Sequence, residues 1–436
     1  MLSAFAQVFR TPDLRKKLLF TLGIILLFRF GSTLPVPNVN MSVLQTASAG
    51  ALAGEQGGVY AMINLFSGGA LLRLAVFALG IMPYITSSII LQLLTVVIPR
   101  LEALKKEGSS GQQTITKYTR WLTIVLAVLQ ATSFTMLAVS GNMFQGASDV
   151  VYDKGIFAII TMILTMTAGT GIIMWFGELI TDRGIGNGMS VLIFTQIIAQ
   201  FPSGMWDVRM NFPGNRGILI MIIVIAVGLL VMAAVVFVEQ AQRRIPVQYA
   251  KRMVGNKVLG GTTTYIPLKV NQSGVIPVIF ASSILYLPTL YAMFSPTGPG
   301  AVWIRTHLGG KGDGLVYNSL YLALIIAFCF FYVAITFNPK EVSDNMAKYG
   351  GFIPGIRAGK PTEDYLGFVL NRLTAPGSIY LAIIALIPTL ALVFLGAGGK
   401  FPFGGTSLLI MVGVGLDTIK QIESQLHQRN YEGFLR

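Results

Sequence analysis

Long apolar runs alternate along this chain with short polar or charged breaks, and the runs themselves carry almost no charge. Ten of them approach the ~20 residues that an α-helix needs to cross a bilayer. They fall at about 18–34, 74–98, 121–139, 155–176 and 188–201, then at 218–238, 275–294, 316–337, 379–395 and 403–416. The pattern predicts an all-α integral membrane protein of ten transmembrane helices, five in a half at 1–205 and five in a half at 206–436. Large cytoplasmic loops are expected at about 239–273 and 338–376. A shorter apolar stretch at about 58–72 contains Tyr60, Ala61, Met62, Ile63, Asn64, Leu65, Phe66, Ser67, Gly68 and Gly69. It is too short to span, and its closing Gly pair suits a re-entrant half-helix tucked into a cavity, a plug. A surface amphipathic helix is the alternative.

Composition removes the soluble classes. A chain of 436 residues that is 53% hydrophobic and 11% charged has too little polar surface to enclose its apolar residues in one water-soluble core. Orientation follows from the cations, because Lys and Arg are retained in short cytoplasmic loops. About 24 of the 32 fall in the two termini and in the connections 2/3, 4/5, 6/7 and 8/9, which makes both termini cytoplasmic. Arg29 and Arg73 lie near span ends, where long side chains can snorkel to water. Trp121, Trp175, Trp206 and Trp303 sit at or just beyond span ends, as interface anchors do. Arg15, Lys16 and Lys17 precede an apolar run that ends in Thr33, Leu34 and Pro35 without a small-residue cleavage site, so the run reads as the first permanent span rather than a signal peptide. Cys329 lies within a span and reads as packing.

Several chemistries have no residues to carry them. No phosphate-cradling G-x-x-x-x-G-K-[ST] run occurs, so ATP hydrolysis would have to come from a partner. His307 and His427 stand far apart without a neighbouring cysteine, and neither a metal nor a cofactor is expected. Ion-coupled transporters carry ionisable groups near mid-bilayer, whereas Glu178, Asp182, Glu239 and Asp417 fall at predicted cytoplasmic ends.

An internal repeat points at a pore instead. Gly80-Ile81-Met82-Pro83-Tyr84-Ile85-Thr86-Ser87-Ser88 opens the second span, and Gly274-Val275-Ile276-Pro277-Val278-Ile279-Phe280-Ala281-Ser282 opens the seventh. Gly188-Met189-Ser190-Val191-Leu192-Ile193 opens the fifth, matched by Gly405-Thr406-Ser407-Leu408-Leu409-Ile410 in the tenth. With five spans per half, each matched pair crosses in opposite directions, which is an inverted repeat. The repeat makes Ile85, Ile279, Ile193 and Ile410 equivalent positions. A ring of such side chains forms a narrow apolar gate that sheds water and blocks ions without any charged filter. Chance recurrence of Gly-x-x-Pro and Ser patterns is the bland reading. Thr86, Ser87 and Gln92 on the second span, with Ser282 and Ser283 on the seventh, suit either ordinary helix packing or a polar seam that opens to lipid.

The 6/7 connection holds Arg243, Arg244, Lys251 and Arg252, and the 8/9 connection holds Gly350-Gly351-Phe352-Ile353-Pro354-Gly355-Ile356-Arg357. Basic loops of this length suit docking of an acidic protein or an RNA-bearing partner as well as a simple orientation signal. Over essentially its whole length the chain resembles the bacterial SecY family. The resemblance rests on Asn64-Leu65-Phe66-Ser67-Gly68-Gly69-Ala70, the Gly80 to Ile85 run and Arg183-Gly184-Ile185-Gly186-Asn187-Gly188. The Arg243 to Arg252 loop, Gly274 to Ser283, Phe352 to Arg357 and Gly404 to Ile410 extend it.

This resemblance implies a protein-conducting channel that passes unfolded secretory polypeptides across the cytoplasmic membrane and inserts membrane proteins sideways into it. It implies a pore ring of Ile81, Ile85, Met189, Ile193, Ile279 and Ile410, in which Met189 departs from isoleucine. It implies a plug at about 60–70 and a lateral gate between spans 2/3 and 7/8, where Gln130 joins the seam residues. It implies SecE-like and SecG-like small subunits, a SecA-like motor or a translating ribosome, signal-bearing precursors and membrane lipid as partners. Arg243, Arg244 and Arg357, with Lys251 and Arg252 in the same loop, fall on the docking face. The rival readings are an inverted-repeat secondary transporter of a small solute and a scaffold that only recruits ribosomes or motors.

Overall fold

The computed structural model describes residues 11–44, 47, 67–141, 150–211, 215–249, 252–254, 257–259, 263–294, 298, 300–308, 315–395 and 405–432. Its first helices are α1 (Pro12–Gly31), α2 (Met82–Val97), α3 (Pro99–Lys106), α4 (Ser109–Val139), α5 (Ile156–Arg183), α6 (Gly188–Asn211) and α7 (Asn215–Gln240). Four strands follow: β1 (Gln242–Tyr249), β2 (Arg252–Val254), β3 (Lys257–Leu259) and β4 (Thr263–Lys269). The remainder comprises α8 (Ile276–Phe294), α9 (Ala301–His307), α10 (Leu315–Thr336), α11 (Pro339–Lys348), β5 (Gly351–Phe352), α12 (Lys360–Leu395) and α13 (Gly405–Glu432).

Helix boundaries follow local chemistry. Ile98 takes an extended conformation because Pro99 disfavours the helical one in the residue before it, and the chain turns by 100° between α2 and α3. The second span is shorter at its other end than its hydropathy predicts. Residues 71–81 form successive turns, with Leu74 (φ 43°) and Gly80 (φ 57°) left-handed, and α2 begins only at Met82. Conversely, α4, α12 and α13 run well past their apolar cores. Their polar turns lie beyond the hydrocarbon thickness of ~30 Å, where water tolerates charge on a continuous helix.

Among the described residues, five helical stretches are long and apolar enough to cross a membrane unaided: Ser109–Val139, Ile156–Arg183, Arg216–Gln240, Val316–Lys348 and Lys360–Ile387. The bent pair α2 and α3 makes a sixth. The apolar runs assigned to spans 1, 5, 7 and 10 are helical too, as α1, α6, α8 and α13. α1, α6 and α13 carry more polar residues than a lipid-facing span does, and α8 is 19 residues long. All four contribute to the central cluster described below.

The expectation of an all-α fold is corrected to a mostly helical one. β1 is the middle strand of an antiparallel sheet ordered β4-β1-β5, with Ile245 opposite Ile266 and Val247 opposite Thr264. β2 and β3 form a separate two-stranded sheet. The stretch 242–249 alternates exposed and buried positions, as a half-covered strand must. Its buried Ile245 and Val247 pack with Leu268, Met346, Ile353 and Leu366, so the sheet closes over α11 and α12. The 338–376 connection is likewise ordered, containing α11, β5 and the first turns of α12.

The helices close a circuit. α2 packs on α4, α4 on α5, α5 on α6, α6 on α13, α13 on α12, α12 on α10, α10 on α8, and α8 returns to α2. α1 leans on α5, and α7 bridges α6 and α13. One core, built around Leu71, Leu74, Ala127, Phe134, Met162 and Met166, lies within the first arc. A second, around Val224, Val235, Ile325, Cys329, Leu381 and Leu409, lies almost wholly in the other. A third draws on both.

Candidate functional site

That third cluster contains every residue assigned to the ring. Ile81, Ile193, Ile279 and Ile410 are buried in it, and Ile85 and Met189 pack against it half-buried. Each enters from a different position on the circuit: Ile81 from the turn before α2, Ile85 from α2, Met189 and Ile193 from α6, Ile279 from α8 and Ile410 from α13. Ile24, Phe28, Phe77, Met82, Ile89, Ile173, Phe176, Ile180, Leu192, Ile197, Phe280 and Val414 complete the buried set. Tyr84 and Tyr332 are among the partly buried side chains that pack against it.

The sequence repeat has a backbone counterpart. Gly80 and Gly274 take φ of 57° and 59°, and the helices α2 and α8 each start two residues later. A left-handed residue at that point favours glycine. Pro83 and Pro277 then sit at the second helical position, where a missing N–H leaves no intrahelical bond unmade. Gly188 and Gly405 are themselves the first residues of α6 and α13. All four helices thus bring an isoleucine into the cluster five residues after an equivalent glycine.

In lipid the helices gain little from hydrophobic exclusion and depend on close packing. A Cβ on Gly169 would strike the Val76 carbonyl oxygen, and one on Gly188 would strike that of Gly177, so backbones meet where these glycines stand. Gly188 N–H also donates to Thr181 Oγ1 at 2.9 Å. An aromatic wall backs the cluster: Phe28 stacks on Phe77 with centroids 5.7 Å apart, and Phe77 meets Phe176 edge-on at 6.4 Å.

The seam residues divide. α2 and α8 touch, but Ser87 Oγ lies 2.6 Å from Thr123 Oγ1, so this buried hydroxyl ties α2 to α4 within one arc. Thr86 donates to Met82 O and Ser282 to Ile279 O, each along its own helix. The buried Ser283 Oγ has no partner among the described residues. Gln92 is exposed on α2 and Gln130 half-buried on α4.

Of the plug residues, Tyr60, Ala61, Met62, Ile63, Asn64, Leu65 and Phe66 lie outside the described residues. Ser67, Gly68 and Gly69 form a turn in which Ser67 Oγ accepts from Leu71 N–H at 3.1 Å. Arg29 does not simply snorkel to water: its Nη1 donates to Gly68 O at 3.2 Å. Sequence reasoning also missed Gln196, wholly buried on α6 against this turn. An amide repeated at 196 and 200 inside an apolar run was the available signal.

On the sheet, Arg243 and Arg244 are exposed, and the Arg244 guanidinium lies 5.3 Å from the Tyr265 ring centroid. Arg357 is exposed in the turn after β5, where its carbonyl accepts from Thr362 Oγ1 at 2.8 Å. β1 and β5 pair directly, at Gln248 with Phe352 and Tyr249 with Gly351, so the two basic segments share one platform. Arg252 is in β2, and Lys251 lies outside the described residues. Glu178, expected to be solvated at a helix end, is paired with Arg120 at 2.7 Å. That contact links α4 and α5 and, being partly exposed, is worth about 0–1 kcal/mol.

Fold and cluster together define a class: a helical membrane protein in which two arcs of helices meet around an apolar centre. The family model for SecY matches residues 75–419. The protein translocase subunit SecY of Streptomyces scabiei is 62% identical over 440 residues, with 100% of both chains covered. That of Mycobacterium tuberculosis H37Rv is 57% identical over 447 residues, again covering 100% of each. Among solved structures, a protein-conducting channel superposes with a TM-score of 0.61 at 18% identity, covering 94% of this chain and 91% of that one. Sec61 from a canine ribosome-channel complex gives 0.56 at 17% identity, with the same coverage. The chain belongs to the SecY family.

Proposed function

We propose that this chain is a passive protein-conducting channel of the bacterial cytoplasmic membrane, which passes unfolded secretory polypeptides across the bilayer and releases apolar segments sideways into lipid. It is a channel and not an enzyme; the energy for threading comes from a partner. One observation carries the reading: six apolar side chains from four helices and a turn, contributed by both arcs, converge in a single apolar cluster. Such a constriction excludes ions by dewetting and is indifferent to the sequence of a chain that widens it. A secondary transporter would carry coordinating or titratable groups near mid-bilayer, whereas the apolar runs of this sequence carry almost no charge.

Finer features belong to the same proposal. Ten crossings in two inverted five-helix halves are supported by the matched glycine turns and helix starts at 80/274 and 188/405. Cytoplasmic termini are supported by the distribution of Lys and Arg. A plug at about 58–72 closes the outer side, its hinge being the Ser67–Gly69 turn against α6. The lateral gate is the α2–α8 contact, which joins the two arcs and whose helices carry Thr86, Ser87, Ser282 and Ser283. The platform of Arg243, Arg244 and Arg357 receives a SecA-like motor or a translating ribosome; the likeness to a ribosome-bound Sec61 fold is consistent with the latter. SecE-like and SecG-like subunits complete the complex.

Polar substitution of the ring tests the central point. Ile85→Asn combined with Ile279→Asn should wet the constriction and raise the resting ion conductance of vesicles holding the complex. An unchanged leak, with the complex intact, would make the cluster ordinary packing and return weight to a scaffold.

A further inference from the structure

Gln196 is anomalous for a side chain inside an apolar helix bundle. None of its surface is exposed, and neither its Oε1 nor its Nε2 has a hydrogen-bond partner among the described residues. The Ser67–Gly69 turn covers it. A Cβ on Gly68 would lie 3.2 Å from Gln196 Cγ and 3.3 Å from its Cα, and Arg29 Nη1 would lie 3.3 Å away. Because Arg29 also donates to Gly68 O, a hydrogen bond from α1 ties the turn down against Gln196.

Its position on α6 matters as much as its burial. Met189, Ile193, Gln196, Ile197 and Gln200 recur at the spacing of one helix face. The first two belong to the cluster's ring positions, and the amide of Gln196 is the next rung beyond them. A Cβ on Gly69 would lie 3.9 Å from Gln200 Nε2, so the same turn reaches the following rung as well.

We propose that Gln196 is a binding site for the peptide backbone of the polypeptide in transit, capped at rest by the Ser67–Gly69 turn. This rests on the channel function proposed above. A primary amide carries two donors and an acceptor with two lone pairs, and every residue except proline offers one N–H and one C=O. Pairing between them is independent of side chains, as a conduit for unrelated sequences requires, whereas a charge or a ring at this point would select among them. An extended backbone entering an apolar constriction loses its water, and Gln196 replaces part of it. At rest the amide is desolvated and unpaired among the described residues, an arrangement that biases the equilibrium against the capped state by about tenfold. Uncapping by the incoming chain relieves that bias and supplies the partner.

The test uses vesicles containing this chain with its small membrane subunits, the motor and ATP, and two signal-bearing precursors of unrelated mature sequence. Gln196→Met keeps the approximate volume and removes both polar atoms. It should slow protection of both precursors by about tenfold and lower the resting ion leak, since the capped state no longer buries an unpaired amide. Gln196→Asn retains an amide and should keep most of the rate. A wild-type rate in Gln196→Met overturns the proposal whatever the leak does. A leak that rises in Gln196→Met overturns it too, because that is the signature of lost packing, as does an equal loss of rate in Gln196→Asn. Failure of the unsubstituted chain to protect either precursor would overturn both this inference and the channel reading.

Discussion

At Gly188 a Cβ would land on the carbonyl oxygen of Gly177, and a backbone atom cannot be turned aside as a side chain can. Gly188→Ala should therefore push α6 from α5 and lower stability by about 1–3 kcal/mol, read as a fall in Tm in detergent. Gly23→Ala is the control: nothing lies within 4 Å of the added methyl, and Tm should hold or rise slightly. An unchanged Tm in Gly188→Ala would mean that the two helices do not depend on this approach. Much at this scale was legible, because Gly188 and the isoleucines following each repeated glycine stand out by position alone. What was not legible was direction. Ser87 looked like a seam residue yet turns to Thr123, and Arg29 looked like a snorkelling cation yet bonds Gly68 O. Sequence spacing gives a residue its place along a helix, while its partner depends on which neighbours the tertiary circuit brings to that side.

At the scale of elements, apolar runs announced the helices, and the charges that punctuate them hid how far the helices extend. The strands went unseen because β1 lies in a segment read for its arginines, although Ile245 and Val247 alternate with exposed neighbours in the period of a half-buried strand. Val247 is 1% exposed beneath this sheet, so Val247→Asp should unfold the platform, leaving an uncompensated carboxylate in its core. Arg357→Glu changes only an exposed turn. It should leave the chain folded and inserted while abolishing motor-driven transport; normal ATP-dependent transport by that variant would remove Arg357 from the docking face. The α2–α8 contact makes a second demand. In a Cys329→Ser background, cysteines replacing Ser87 and Ser283 and bridged by a short bifunctional reagent should block release of apolar segments into lipid. Unimpeded release from the bridged protein would mean that the exit lies elsewhere.

For the whole molecule, the arrangement of cores is the informative feature. Each arc is consolidated by its own apolar cluster, and the ring positions of the cluster between them lie at or near glycine turns or glycine helix starts. The arcs join at α6–α13 as well as at α2–α8. The apolar runs made a mostly helical membrane fold visible in advance. The closure of the circuit by α2 against α8 was not visible, since no local pattern encodes which distant helices touch. The most direct test of the account is protease protection of a signal-bearing precursor in liposomes containing this chain, its SecE-like and SecG-like subunits, the motor and ATP. Protection should require this chain and ATP together. A correctly assembled complex that docks the motor yet leaves the precursor fully digestible would contradict it.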